Sequence, residues 1–126
     1  MRRRTGTVLL LLAAVILIAS GTTKLIGPAA VVRQLEGFGF AGKIQLVGVL
    51  ELVSGMLLLV PRTRSLGLLL ASSFMGGAIA THLQHNELPI PAAFVLSLVW
   101  LGSWLRYPVT LWSLSTASSG PALNQQ

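Results

Sequence analysis

Proline and clustered charge cut this chain into apolar runs over residues 7–26, 44–60, 66–83 and 91–105, the last short and reaching towards Trp112. The breaks are Gly27-Pro28, Pro61-Arg62-Thr63-Arg64 and the polar stretch from Gln84 to Pro89. Proline lacks the amide donor that a helix needs, and charge resists hydrocarbon, so each break ends an apolar helix. An apolar helix of about 20 residues crosses roughly 30 Å of hydrocarbon. With 53% hydrophobic and 10% charged residues, against about 25% charged in a soluble domain, the chain is not an ordinary water-soluble fold. The expectation is an all-α, integral-membrane four-helix transmembrane bundle.

The segment 28–43 is too polar to span. Val31, Val32, Leu35 and Phe38 recur there near helical spacing, with Arg33, Gln34 and Glu36 turned elsewhere. That pattern predicts a short interfacial helix between spans one and two. The residues after Trp112 (SLSTASSGPALNQQ) are rich in Ser and Gln, which predicts a membrane domain over 1–112 and a disordered cytoplasmic tail over 113–126. Arg2-Arg3-Arg4, a Leu-rich core and Ala19-Ser20 before Gly21 also fit a cleaved signal peptide, but the apolar run continues to Leu25-Ile26. A retained first span is the better reading.

The formal net charge is +6. In a soluble protein that would suggest nucleic acid, but here the basic residues sit at span ends. With a cytoplasmic amino terminus, Arg2, Arg3, Arg4, Arg62, Arg64 and Arg106 fall inside, while Lys24, Arg33 and Lys43 fall outside. This satisfies the positive-inside rule and places Trp104 and Tyr107 at the cytoplasmic interface. The charge is therefore read as topogenic, with both termini cytoplasmic and with no nucleic-acid partner.

Three ionisable residues fall within or at the edge of the apolar runs: Lys24, Glu51 and His82. A charge at the bilayer centre costs about 2.5 to 3.5 kcal/mol on insertion scales, so each should pair, snorkel or face a cavity. Glu51 lies roughly 16 Å along the helix from Arg62, near mid-membrane, and its side chain is too short to snorkel. Gly48 and Gly55 share its helix face, which should look into the bundle. Its plainest role is an interhelical hydrogen bond. For Lys24 two readings stand: an anchor reaching the headgroups, or an inward partner for Glu51 across a gap of some 10 Å, which would need the lysine stem, a water or Gln45. His82, on the face of Ala71, Met75 and Ala78, reads as a headgroup-level polar cap or a proton- or ligand-handling group. Its i+3 neighbour His85 adds a second nitrogen, but two imidazoles with no nearby carboxylate or thiolate make a poor metal site.

The run from 66 to 83 carries Ser72, Gly76 and Ala80 beside Ser73, Gly77 and Thr81, two small-residue rows suited to close helix packing. Packing within the monomer is favoured over a homo-oligomer seam. The absence of cysteine removes thiolate metal and iron–sulfur chemistry, and no phosphate loop, nucleophile elbow or HExxH supports a hydrolase or nucleotide enzyme. The isolated chain is therefore read as leaning away from catalysis.

Gly21-x-x-Lys24, Gly48-x-x-Glu51-x-x-x-Gly55 running into Leu57-Leu58-Leu59-Val60-Pro61-Arg62-Thr63-Arg64, then Leu66-Gly67, the stretch from Met75 to His82 and Trp104-Leu105-Arg106 together resemble the DoxX-like branch of the DoxX family of small bacterial membrane proteins. The resemblance implies a four-helix transmembrane bundle with a polar pattern at Lys24, Glu51 and His82. It further implies association with membrane redox complexes or protein assembly. Three roles follow as expectations: a non-catalytic scaffold holding a membrane-protein partner in the lipid bilayer; an accessory subunit of a quinone-linked oxidoreductase, with quinone as a borrowed ligand and no intrinsic cofactor; and a small-solute or proton transporter.

Overall fold

The computed structural model describes residues 1–107. The expected tail over 113–126, and the reach of the last run towards Trp112, lie outside the described residues. Five helices follow one another: α1 (Arg2–Ile26), α2 (Ala29–Gly37), α3 (Ile44–Leu59), α4 (Arg64–Gln84) and α5 (Ile90–Arg106). Among the described residues there is no strand. Helix α1 ends where Gly27 takes the left-handed conformation, φ 71°, and returns its amide to the Thr23 carbonyl, a role suited to a residue without Cβ. Pro28 then caps α2, the short amphipathic helix expected in this loop.

The four longer helices close a ring in which α1 packs on α3, α3 on α4, α4 on α5 and α5 on α1. Neighbours run antiparallel: Gly21 of α1 meets Gly48 of α3 while Ala14 meets Gly55, and Gly6 at the start of α1 meets Gly102 and Arg106 at the end of α5. A Cβ at Gly21 would stand 2.7 Å from the Gly48 oxygen, one at Gly6 2.6 Å from the Arg106 nitrogen and one at Gly67 2.6 Å from the Leu58 nitrogen. Three of the four seams therefore bring backbones to distances that only glycine permits.

The core built around these seams sets four alanines, Ala13, Ala14, Ala71 and Ala92, among larger side chains such as Leu10, Leu17, Leu58, Leu68, Met75 and Val99, with Glu51, Ser54 and Ser103 also buried. Many other large apolar residues point outward. Val8, Leu12 and Val15 on α1, Leu46, Val49 and Met56 on α3, Leu66 and Leu69 on α4, and Phe94, Trp100 and Trp104 on α5 are all exposed. Water does not tolerate apolar surface so extended, whereas hydrocarbon requires it. By length and composition α1 and α4 are able to cross a membrane, and α3 and α5 are shorter apolar helices of 16 and 17 residues.

One packing expectation is overturned. Gly76 and Gly77 have no atom within 4 Å of where a Cβ would stand, and Ala80 is exposed. Helix α4 buries Gly67, Leu68, Ala71 and Met75 instead, so the rows through Gly76, Gly77 and Ala80 turn away from the bundle. Ser72 is half-buried, its hydroxyl without a hydrogen-bond partner among the described residues. Gly48 and Gly55 lie on the α1 seam.

Candidate functional site: an ion pair in the α1–α3 seam

The contact between Gly21 and Gly48 sets the site. Each glycine is followed three residues later by an ionisable side chain, Lys24 on α1 and Glu51 on α3. Because the helices are antiparallel, Lys24 lies level with Gly48, where a Cβ would be 3.1 Å from its own Cβ. Glu51 lies one turn further along α3, roughly 4.5 Å of axial rise. Helical side chains lean towards their helix's amino terminus, so the lysine stem runs back along α1 towards Glu51. Its Nζ donates to Glu51 Oε2 at 2.5 Å and to Ser20 Oγ, one turn below on α1, at 2.6 Å.

The pair is closed in. The Lys24 and Glu51 side chains are 17% and 6% exposed, so the lysine turns inward and does not snorkel. Two of the three ammonium donors are used within the protein, and the carboxylate holds the opposite charge. The axial gap is about one turn, less than half the roughly 10 Å expected from counting residues, and the lysine stem closes it. Gln45, offered as a bridge, is exposed. Ser20, the third member, was not singled out in the sequence, although its position four residues before Lys24 was the available signal.

His82 does not join this pair. Its Nδ1 lies 3.1 Å from Glu87 Oε2, and its ring meets Phe38 edge-on with centroids 5.0 Å apart. Phe38 makes the same contact with His85, whose Nδ1 lies 2.9 Å from the Thr81 carbonyl oxygen. A carboxylate is thus near His82 after all, supplied by the turn after α4. Still, no group of three metal-ligating side chains forms among the described residues.

At the opposite end the basic residues converge on aromatic rings. Arg2 lies 4.9 Å from the Trp104 ring centroid, and Arg64 and Arg106 lie 4.8 and 5.1 Å from that of Tyr107. The Arg64 guanidinium donates to the Tyr107 hydroxyl and, through Nε, to the Leu58 carbonyl at 3.1 Å.

A family model described as the DoxX-like family matches residues 8–104, from the first helix to the last and across both partners of the ion pair. The chain belongs to the DoxX-like family. With its outward apolar surface, this DoxX-like chain is a small membrane protein. No curated protein and no solved structure matches it.

Proposed function

We propose that this DoxX-like protein crosses a bacterial inner membrane four times, with both termini cytoplasmic, and acts there as a non-catalytic scaffold or assembly partner for another membrane protein. The observation that carries the scaffold role is the division of labour between its two polar or small-residue features. Lys24 and Glu51 satisfy each other and Ser20 inside the α1–α3 seam, so the membrane-embedded charge is used to fix helix geometry. Gly76, Gly77 and Ala80 face away from the bundle, where a foreign helix can approach closely and gain packing that lipid does not offer.

Four crossings are supported by the outward apolar side chains on α3 and α5 as well as on α1 and α4. A hydrocarbon layer accommodates short helices by thinning locally, at fractions of a kcal/mol per Å. Sidedness is supported by the gathering of Arg2, Arg64 and Arg106 at one end with Trp104 and Tyr107. The absence of native cysteine makes this simple to test with single cysteines. In intact cells a membrane-impermeant maleimide should label Ala41→Cys and leave Arg3→Cys unlabelled until the cells are opened. The reverse pattern would invert the topology.

The role itself is tested by extracting the protein in native lipid discs and identifying what accompanies it. The expected result is a reproducible membrane-protein partner that survives Glu51→Gln and is lost in Gly76→Leu. A quinone retained by the wild type and lost in Glu51→Gln would instead make the chain an accessory subunit of a quinone-linked oxidoreductase, with the ion pair in its site.

A further inference from the structure

The basic end of the bundle holds positive charge that the chain itself does not balance. Of its three acidic residues, Glu51 is taken by Lys24, Glu87 lies against His82, and Glu36 is on α2 at the opposite end. Residues 108–126 add no acidic side chain. At this basic end lies a cleft of about 100 Å³, lined by Pro61, Arg64, Ser65, Leu68, Ser103 and Tyr107. That is ample room for a compact oxyanion, since about 10 to 15 Å³ of such space already holds a water.

Three features of the lining converge on an anion. The cleft sits at the amino terminus of α4, a helix of 21 residues whose N-cap, Thr63, makes no side-chain cap. The Thr63 hydroxyl turns back to the carbonyls of Leu57 and Val60 instead, leaving the first-turn amides uncapped by a side chain. Arg64 is held by the Leu58 carbonyl and the Tyr107 hydroxyl, which orients its guanidinium and leaves further N–H groups to donate. Ser103, only 3% exposed, has a hydroxyl with no hydrogen-bond partner among the described residues. A buried hydroxyl without a partner is costly unless something arrives to satisfy it.

We propose that this cleft binds one phosphate group, held by Arg64, the amino terminus of α4 and the Ser103 hydroxyl, and that its source is the phosphodiester of an anionic phospholipid whose acyl chains lie along the apolar exterior. Arg106, which shares Tyr107 and a second small cleft with Arg64, adds charge beside it. The proposal requires only that this end lie at a headgroup layer, whichever side of the membrane that is.

Native mass spectrometry of the intact protein tests it. The protein is exchanged into detergent with phosphatidylglycerol or phosphatidylcholine, with and without millimolar inorganic phosphate. The wild type should retain one phosphatidylglycerol in preference to phosphatidylcholine. Arg64→Gln should weaken that retention about tenfold, the scale of a lost charge-assisted hydrogen bond, and Ser103→Ala a few-fold. Arg33→Gln, at the other end, should leave it unchanged. Inorganic phosphate that displaces the lipid would support the phosphate site but assign it to the free anion, while lipid that stays bound supports the phospholipid source. Equal retention by wild type, Arg64→Gln and Ser103→Ala would overturn the site, as would an equal loss in Arg33→Gln. Ser103→Ala removes one oxygen from a packed position, so the test survives if Arg64→Gln fails to fold.

Discussion

Lys24→Met should destabilise the protein by about 3 to 5 kcal/mol, because it leaves the Glu51 carboxylate buried with its ammonium partner removed. The ion pair sits where α1 and α3 are closest, so the unpaired charge cannot be relieved by water entering without parting the Gly21–Gly48 contact. Glu51→Gln should cost less. The amide remains able to accept a hydrogen bond from Lys24, and the lysine stem is long enough to carry its charge outward once the attraction is gone. Combining Lys24→Met with Glu51→Met should recover most of the loss, since replacing a whole buried pair with apolar groups of similar volume is often neutral or better. Reversible unfolding in mild detergent reports all three. A double variant as damaged as Lys24→Met alone would mean that the pair contributes net stability. A Lys24→Met protein as stable as wild type would show that the ion pair is not formed as described.

Much of this arrangement is legible in the sequence. Gly27-Pro28 and Pro61-Arg62 mark the ends of α1 and α3, and the polar stretch before Pro89 separates α4 from α5. Helices α1, α4 and α5 exceed the apolar runs, α1 beginning at Arg2, α4 at Arg64 and α5 ending at Arg106, because arginine has good helix propensity and ends the hydrocarbon without ending the helix. Cost alone singled out Glu51, whose short side chain has to find a partner in the protein. What a single sequence leaves open is direction. Lys24 has the same residue type and depth whether it snorkels or pairs, and only the antiparallel register, which brings it level with Gly48, sends its stem towards Glu51. The small-residue rows on α4 pose the same difficulty. Gly67 and Gly76 look alike in sequence, and what separates them is which face of α4 the ring of helices encloses. Arg64 and Tyr107 read in sequence only as residues at span ends and Ser103 carries no signal, and the three meet because the α3–α4 turn and the end of α5 close the same end of the bundle.

The glycines permit a second large effect to be stated as a contrast. Gly21→Ala and Gly48→Ala should each cost about 1 to 3 kcal/mol, the usual range for overpacking a tight contact, because the new methyl would stand 2.7 and 2.9 Å from backbone oxygen of the facing helix. Backbone cannot rotate aside as a flexible side chain does, so relief requires α1 and α3 to separate. Separation would in turn lengthen the Lys24–Glu51 contact, and the two losses should be coupled: in a Lys24→Met background the cost of Gly48→Ala should shrink. Gly76→Ala and Gly77→Ala meet nothing within 4 Å. They should cost nothing in the isolated protein and gain up to about 1 kcal/mol, because alanine is the better helix former. The same unfolding measurement distinguishes them, and the result bears on function. If Gly76→Ala is harmless to the purified monomer but weakens co-purification of a partner, the small-residue face of α4 is where that partner packs. If Gly76→Ala destabilises the purified protein as much as Gly48→Ala does, the face is already covered, and a second copy of this chain is the occupant that a purified sample can supply.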